Sequence, residues 1–309
     1  MIIGIGDRMD SRCAINFGTH NGIFHSDDVL SAAILELAFI FADAYLVRTR
    51  DPEVLKKLNI VFDIGGGEFD HHMKGFCLCR HSGEMYASAG LIWKSYGEIA
   101  IRNVMKLSRL SVKDDDIKSI LEQIDQEIII PVDQEDNGVD VGVHTFSFIS
   151  KFLPSWVDVA DYDSSFRKAE SVVYSILREL IRDKIVQVIT KDELKKRFYH
   201  VTDGILEIPS QTMPWLEEVV RYNEYNSKKI YFVVFQYPAG GWAAQCVPPS
   251  VAEKFKQLKA FPKEWAGGNA ETLPGISGIK DATFCHNGAF FARARTKEAI
   301  LQMCKVAMK

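Results

Sequence analysis

The 309-residue chain has a formal charge of −4, with 47% hydrophobic and 25% charged residues, a composition that excludes a disordered or collagen-like chain. At about 100–200 residues per domain that length predicts two domains, and the mild acidity excludes a generally basic nucleic-acid-coating protein while leaving room for a local basic groove. No apolar run reaches the ~20 residues of a membrane span, and residues 1–13 carry Asp7, Arg8, Asp10 and Arg12 in place of a secretory leader's apolar core.

Residues 14–19 read as a buried strand that the polar His20-Asn21-Gly22 ends. Phe24-His25-Ser26-Asp27-Asp28 then leads into a helix that Ser26, Asp27 or Asp28 can cap, with Val29, Ala33, Leu37 and Phe41 on one apolar stripe. Residues 44–47 form the next strand, closed by Arg48-Thr49-Arg50 and an Asp51-Pro52 turn, and a short helix over 53–58 precedes a strand at 60–63. Strands alternating with helices predict a parallel sheet. Ligands collect at the carboxyl ends of such strands, where this reading puts His20, Arg48, Asp63 and the triplet Asp70-His71-His72.

Helical patterns follow over 86–104 and 111–130, the second with Ser111 and Asp114 as its cap and Pro131 as its stop. The acidic Asp133-Gln134-Glu135-Asp136-Asn137-Gly138 then reads as a turn. A long charged helix over 163–198 carries the boundary between domains 1–195 and 196–309. Beyond it, 229–237 and 241–247 flank Pro238-Ala239-Gly240 as a hairpin, 283–286 and 289–294 form another around Asn287-Gly288, and 297–308 is a closing amphipathic helix. The predicted class is α/β, with a mainly parallel sheet flanked by helices in the N-terminal domain and a smaller α+β C-terminal domain.

Metal-ligating side chains gather in the first domain. His20, His25 and Asp27 follow the first strand, Asp63 the third, His71 and His72 its glycine loop, and Asp133 or Asp136 the helical segment. That supply fits two ions, which at a spacing of about 3.5–4 Å share a carboxylate and a water and stabilise both attacking and leaving oxygens at phosphorus. Histidine and carboxylate donors without thiolates favour Mn²⁺ or Mg²⁺ over structural zinc. The six cysteines, at 13, 77, 79, 246, 285 and 304, contain no Cys-x-x-Cys pair, which argues for a reducing, cytoplasmic compartment and against a zinc ribbon or a disulfide framework. Gly65-Gly66-Gly67 lacks the Gly-Lys-Ser/Thr of a phosphate loop and reads as a hinge for the triplet. Arg48, Arg50, Lys74 and Arg80 are either phosphate contacts or solvated surface charges. His286, Asn287 and Gly288 are either an ordinary hairpin tip or a turn whose backbone N–H groups hold an anion.

In order, His20-Asn21-Gly22-Ile23-Phe24-His25-Ser26-Asp27-Asp28, the isolated Asp63, Asp70-His71-His72 and Asp133-x-x-Asp136-Asn137-Gly138 resemble the four motifs of the DHH phosphoesterase superfamily. More narrowly they resemble the melanocyte-proliferating-gene (MYG) exonuclease family. Gly241-Trp242, Gln245-Cys246-Val247-Pro248, Gly275-Ile276-Ser277-Gly278 and Cys285-His286-Asn287-Gly288 are similar to that family's C-terminal blocks, so the resemblance covers nearly the whole chain. His25 stands where the superfamily usually has an aspartate. The resemblance implies a DHH-type N-terminal domain and metal-dependent phosphodiester hydrolysis, with 3′ to 5′ exoribonuclease action on RNA or short oligonucleotides. It also implies that His20, His25, Asp27 and His71 are ligands, Asp63 the bridging carboxylate and His72 a group near the scissile phosphate, and it leaves Asp133 and Asp136 as alternatives. Two rival functions remain on the same residues: a hydrolase of small phosphoanhydrides or cyclic dinucleotides, and a non-catalytic metal or nucleotide sensor.

Overall fold

The chain forms two units, Met1–Ile185 and Val186–Lys309, and the computed structural model describes residues 1–142, 146–157 and 159–309. In the first unit β1 (Ile2–Gly6), β2 (Ile15–Thr19), β3 (Ala44–Arg48) and β4 (Ile60–Val61) make one parallel sheet in the order β1-β3-β2-β4. The α/β class and the parallel sheet are as expected, with one strand more than the sequence reading contained. Glycine weakens the strand signal of β1, yet Gly4 fits the packing there: a Cβ at this position would lie 2.5 Å from the Tyr45 ring.

Helix α1 (Ser26–Ala38) crosses from β2 to β3 and is buried on every side from Asp27 to Ala38, because it packs against helix α3 (Ser88–Ser108) as well as lying in the crossover between two strands. The expected single apolar stripe is therefore too narrow, and Phe41 lies beyond the helix, 65% exposed. The start also differs from the expectation. His25 is the N-cap, and the Asp28 carboxylate reaches back to accept its N–H at 3.0 Å, the reciprocal half of a capping box. At the other end Asn103 of α3 donates to the carbonyls of Leu37 and Ala38 at 3.0 and 2.8 Å, satisfying acceptors that a helix end leaves open.

The short α2 (Pro52–Leu55) precedes β4, and α3 (Ser88–Ser108) leads to α4 (Asp114–Ile124). Here the cap is Lys113, whose N–H goes to the Asp116 carboxylate at 3.2 Å, in place of the expected Ser111 and Asp114 pair. Pro131 does not stop the helix. A π-helical turn, Asp125–Ile129, absorbs it, and α5 (Ile130–Asp136) continues with the proline in its first turn. Wider i→i+5 bonding spares the amide that proline lacks, so the acidic segment is helical instead of a free turn. A 3₁₀ turn (Ser147–Phe152) and α6 (Tyr162–Phe198) follow. The division between the units falls inside α6, at 185, where the sequence reading put it at 195.

In the second unit β5 (Ile205–Glu207), β6 (Phe232–Gln236), β7 (Trp242–Cys246), β8 (Ala282–Cys285) and β9 (Phe291–Ala294) form a mixed sheet in the order β5-β6-β7-β9-β8. Both expected hairpins are antiparallel pairs, β6 with β7 and β8 with β9. Alternation along β6 sends Phe232 and Val234 into one apolar core and Val233 and Phe235 into the other. Helix α7 (Leu216–Tyr225) supplies Val219 to the second core, whereas α8 (Leu273–Ser277) and α9 (Lys297–Met308) supply Leu273, Ile300 and Met303 to the first. No described helix is long and apolar enough to cross a membrane.

Candidate metal centre

The carboxyl ends of β2 and β4 converge on Asp63. This residue is buried, has φ +58°, and donates its N–H to the Phe69 carbonyl at 3.0 Å. Left-handed backbone is costly for most residues and tolerated by aspartate, and such conformations cluster at functional sites. Its Oδ2 meets His20 Nε2 at 3.1 Å, and its Oδ1 accepts from Ser88 Oγ at 3.1 Å. His71 and His72 approach Oδ1 through Nδ1 at 3.6 and 3.4 Å.

The triplet is held by its own first residue. Asp70 Oδ2 accepts the Gly66 N–H at 2.7 Å, while Oδ1 accepts from the His72 N–H at 2.9 Å and from His72 Nδ1 at 3.0 Å. Gly65 and Gly66 both take positive φ, so the glycine loop can fold back on Asp70. The His71 and His72 rings lie 4.1 Å apart, and their environments differ: the His71 side chain is 8% exposed and the His72 side chain 62%.

Among the described residues three groups of nitrogen and oxygen donors could each hold an ion: His20, Asp28 and Asp63; His25, Asp27 and Asp136; and Asp63, Asp70, His71 and His72. Asp63 belongs to two of them. Burial alone would lower the His20 imidazole, but its contacts with Asp28 and Asp63 outweigh that and raise it to about 10. His71 is raised in the same way, burial opposing and the Asp136 carboxylate at 2.7 Å prevailing. Asp27 is pushed well up, by burial first and then by the neighbouring carboxylates Asp63, Asp136 and Asp28. Neither Asp27 oxygen, both fully buried, has a hydrogen-bond donor. A buried carboxylate with nothing to neutralise it is strongly unfavourable. Oxygen and imidazole donors without a thiolate suit a hard or borderline divalent cation, so the residues present fit a metal.

Asp133 and Asp136 separate cleanly. Asp133 is fully buried, with Oδ1 accepting the Gly90 N–H at 2.9 Å and Oδ2 paired with Arg80 at 2.8 Å. A Cβ at Gly90 would stand 1.9 Å from that carboxylate, so only glycine admits it. Asp133 is a strut, and Asp136, one turn on, joins His25 and Asp27. Arg48 is also held by the fold: its guanidinium is buried, bonded to Asp163 at 2.9 Å and to the Gly22 carbonyl at 2.9 Å, and lies over the Phe166 ring at 4.5 Å. Asp28 and Asp70 also bring carboxylate oxygens to these groups; in sequence Asp28 reads only as a helix cap and Asp70 only as part of the triplet.

Two cavities of about 760 and 770 Å³ open onto these groups and share His25 and His72. Exposed Arg50 lines one of them with His20 and Asp63. The other is walled by Asp136, Asn137 and residues of the 3₁₀ turn. Lys74 is exposed and lines neither.

The family model MYG1_exonuc, described as an uncharacterised protein family (UPF0160), matches residues 16–308. The chain belongs to this family. It is 28% identical to the MYG1 exonuclease of Homo sapiens over 331 residues, covering 94% of this chain and 85% of that one. It is 26% identical to the MYG1 protein YER156C of Saccharomyces cerevisiae, covering 97% and 98%, and 26% identical to the MYG1 protein of Chlamydia trachomatis, covering 94% and 96%.

In the second unit His286, Asn287 and Gly288 form the tip of the β8–β9 hairpin and are exposed. The tip is not an open nest of amides, because the Gly288 N–H is donated to His286 Nδ1 at 3.0 Å. An accepting Nδ1 leaves the ring proton on Nε2, which makes His286 an exposed donor, its ring 4.4 Å from that of Phe290.

Proposed function

We propose that the chain is a divalent-metal-dependent phosphodiester hydrolase, a 3′ to 5′ exonuclease of RNA or short oligonucleotides in the cytoplasm. The observation that carries this reading is the sharing of Asp63 by two donor groups beside the orphaned Asp27 carboxylate. The name exonuclease borne by the human relative supports it. His20, Asp28 and Asp63 would hold one ion and His25, Asp27 and Asp136 a second, with Asp63 and His71 between them: Asp63 also belongs to the group with His71 and His72, and His71 contacts Asp136. When bound, two such ions, Mn²⁺ or Mg²⁺, make a potent nucleophile of water and neutralise charge on the phosphate.

The chain's own residues supply the rest. His72 turns its Nδ1 edge to Asp70 and lines both cavities, so Nε2 is the atom that moves a proton to or from a phosphate oxygen. Asp63, held by Ser88, orients the pair of imidazoles. Arg50 meets the negative phosphate at the cavity wall, and exposed Lys74, outside both cavities, would meet only a substrate that extends past them. In the second unit His286, Asn287 and Gly288 contribute nucleotide contacts through the exposed Nε2–H and the amide side chain of Asn287.

The test is hydrolysis by metal-stripped protein after adding back Mn²⁺ or Mg²⁺, with 3′- and 5′-labelled RNA and DNA from dinucleotides to long polymers. RNA should shorten from its 3′ end, best with Mn²⁺. Cleavage confined to small phosphoanhydrides or cyclic dinucleotides, or none with any ion, overturns the reading.

A further inference from the structure

The second unit holds a cavity of about 650 Å³ between the segment entering α7, the end of β7 and the β8–β9 tip. Its walls include Trp215, Pro248 and Phe290. At its rim stands Phe255, 86% exposed, in a unit that fully buries Phe232, Phe235 and Phe261. Packing does not ask for an aromatic ring there. The Lys254 ammonium lies 5.5 Å from that ring, so the rim carries a positive charge beside a π-face.

The polar groups narrow the ligand. Gln245 and Gln257 both line the cavity, and a carboxamide offers an acceptor and two donors. Gln257 spends one donor on the Phe255 carbonyl at 2.8 Å, fixing the segment that bears the ring, and keeps its acceptor. Flat aromatic surface, amides that can pair with a heteroaromatic edge, and one cation for a phosphate describe a nucleobase with its phosphate. A lipid chain would leave the amides and the charge unmatched, and a bare sugar phosphate would leave the rings unmatched. The volume falls within the roughly 300–1,000 Å³ of small-molecule sites.

We propose that this cavity is a nucleotide-binding subsite in which Phe255 stacks on a base, Lys254 meets a phosphate, and Gln245 and Gln257 face the base edge. The choice of ligand rests on the nucleic-acid reading above, but binding is tested without hydrolysis. The full chain in EDTA is titrated with AMP and with ribose 5-phosphate by calorimetry. AMP should bind at least tenfold more tightly than ribose 5-phosphate, Phe255→Ala should weaken AMP by roughly fivefold or more, and Phe255→Trp should restore it. With Mn²⁺ added, Phe255→Ala should raise KM more for a base-bearing oligonucleotide than for an abasic one of equal length. Equal binding of the two titrants, no binding of AMP at millimolar concentration, or an unchanged affinity in Phe255→Ala overturns the subsite. If AMP binds as described and no oligonucleotide is cleaved with any ion, the subsite stands and the nuclease reading falls.

Discussion

The two units differ most in what they bury. Among the described residues the first hides Asp27, Asp28, Glu36, Arg48, Asp63, Asp70, Arg80, Asp133, Glu170 and His20, whereas the buried polar residues of the second are Thr190 and Asn223. Asn223 is satisfied on both sides by the backbone of Ile230, at 2.8 and 2.7 Å. The second unit is thus an apolar sandwich of the ordinary kind, stabilised by burial at about 25 cal/mol per Å². The first carries charges that cost stability unless each is matched. Most are: Arg48 by Asp163, Arg80 by Asp125 and Asp133, and Arg167 by Glu36 and Glu170. Asp27 has no hydrogen-bond partner, and three carboxylates, Asp63, Asp136 and Asp28, crowd it. The unmatched charge, more than the number of histidines, marks where function sits.

The comparison breaks if the cluster is dispensable. Asp63→Asn and His71→Ala each change a donor without removing apolar packing, so both variants should fold. Each should lose at least about 100-fold in turnover, in line with what changes around a metal site cost. Turnover at saturating Mn²⁺, with circular dichroism as the check on folding, measures it. Near-normal activity in either folded variant would reduce the convergence on Asp63 to packing.

A second test separates cost from function. Asp27→Asn removes a buried charge that lacks a donor, so without metal the variant should be more stable than the parent, by about 1–3 kcal/mol. With Mn²⁺ the order should reverse, because an ion bound only by the folded state adds about 4.1 kcal/mol at a thousandfold excess over Kd. Thermal unfolding in EDTA and in Mn²⁺ reads both. A metal-free variant less stable than the parent would mean that Asp27 has a protein partner after all.

Local signals carried the sequence reading a long way and failed where a distant residue decides. Strand ends, the parallel sheet, both hairpins and α9 follow from period and turn chemistry, which lie within a few residues of one another. Asp133 and Asp136 are three residues apart on one helix and look alike in sequence. Arg80, far up the chain, claims the first and leaves the second to the cluster. Arg48 looked free because Asp163 is 115 residues away. Pro131 read as a stop because a π turn leaves no mark in composition. Asp28 serves its helix N-cap with one oxygen and faces His20 with the other, so recognising the cap concealed the ligand.

The smallest effect belongs to a buried charge cluster away from the donor groups. Arg167, on α6, pairs with both Glu36 of α1 and Glu170, and also donates to the Ile2 carbonyl at 2.9 Å, tying β1 to the helix. Two carboxylates share one guanidinium there. Burial first, and then the adjacent Glu36, push the Glu170 carboxyl well above the ordinary glutamate range. The folded protein therefore holds a proton on Glu170 that the unfolded chain releases above about pH 4.3. Where the folded state binds more protons, stability falls as pH rises, so this group destabilises progressively from mildly acidic toward neutral and basic pH. Glu170→Gln mimics the protonated form and keeps the shape. Its melting temperature should match the parent near pH 4.5 and exceed it by a few degrees near pH 8, a difference of about 1–2 kcal/mol at this size. Parallel melting profiles for the two proteins across that range would mean that Arg167 neutralises both carboxylates, and that the first unit tolerates buried charge as well there as it does at Arg48.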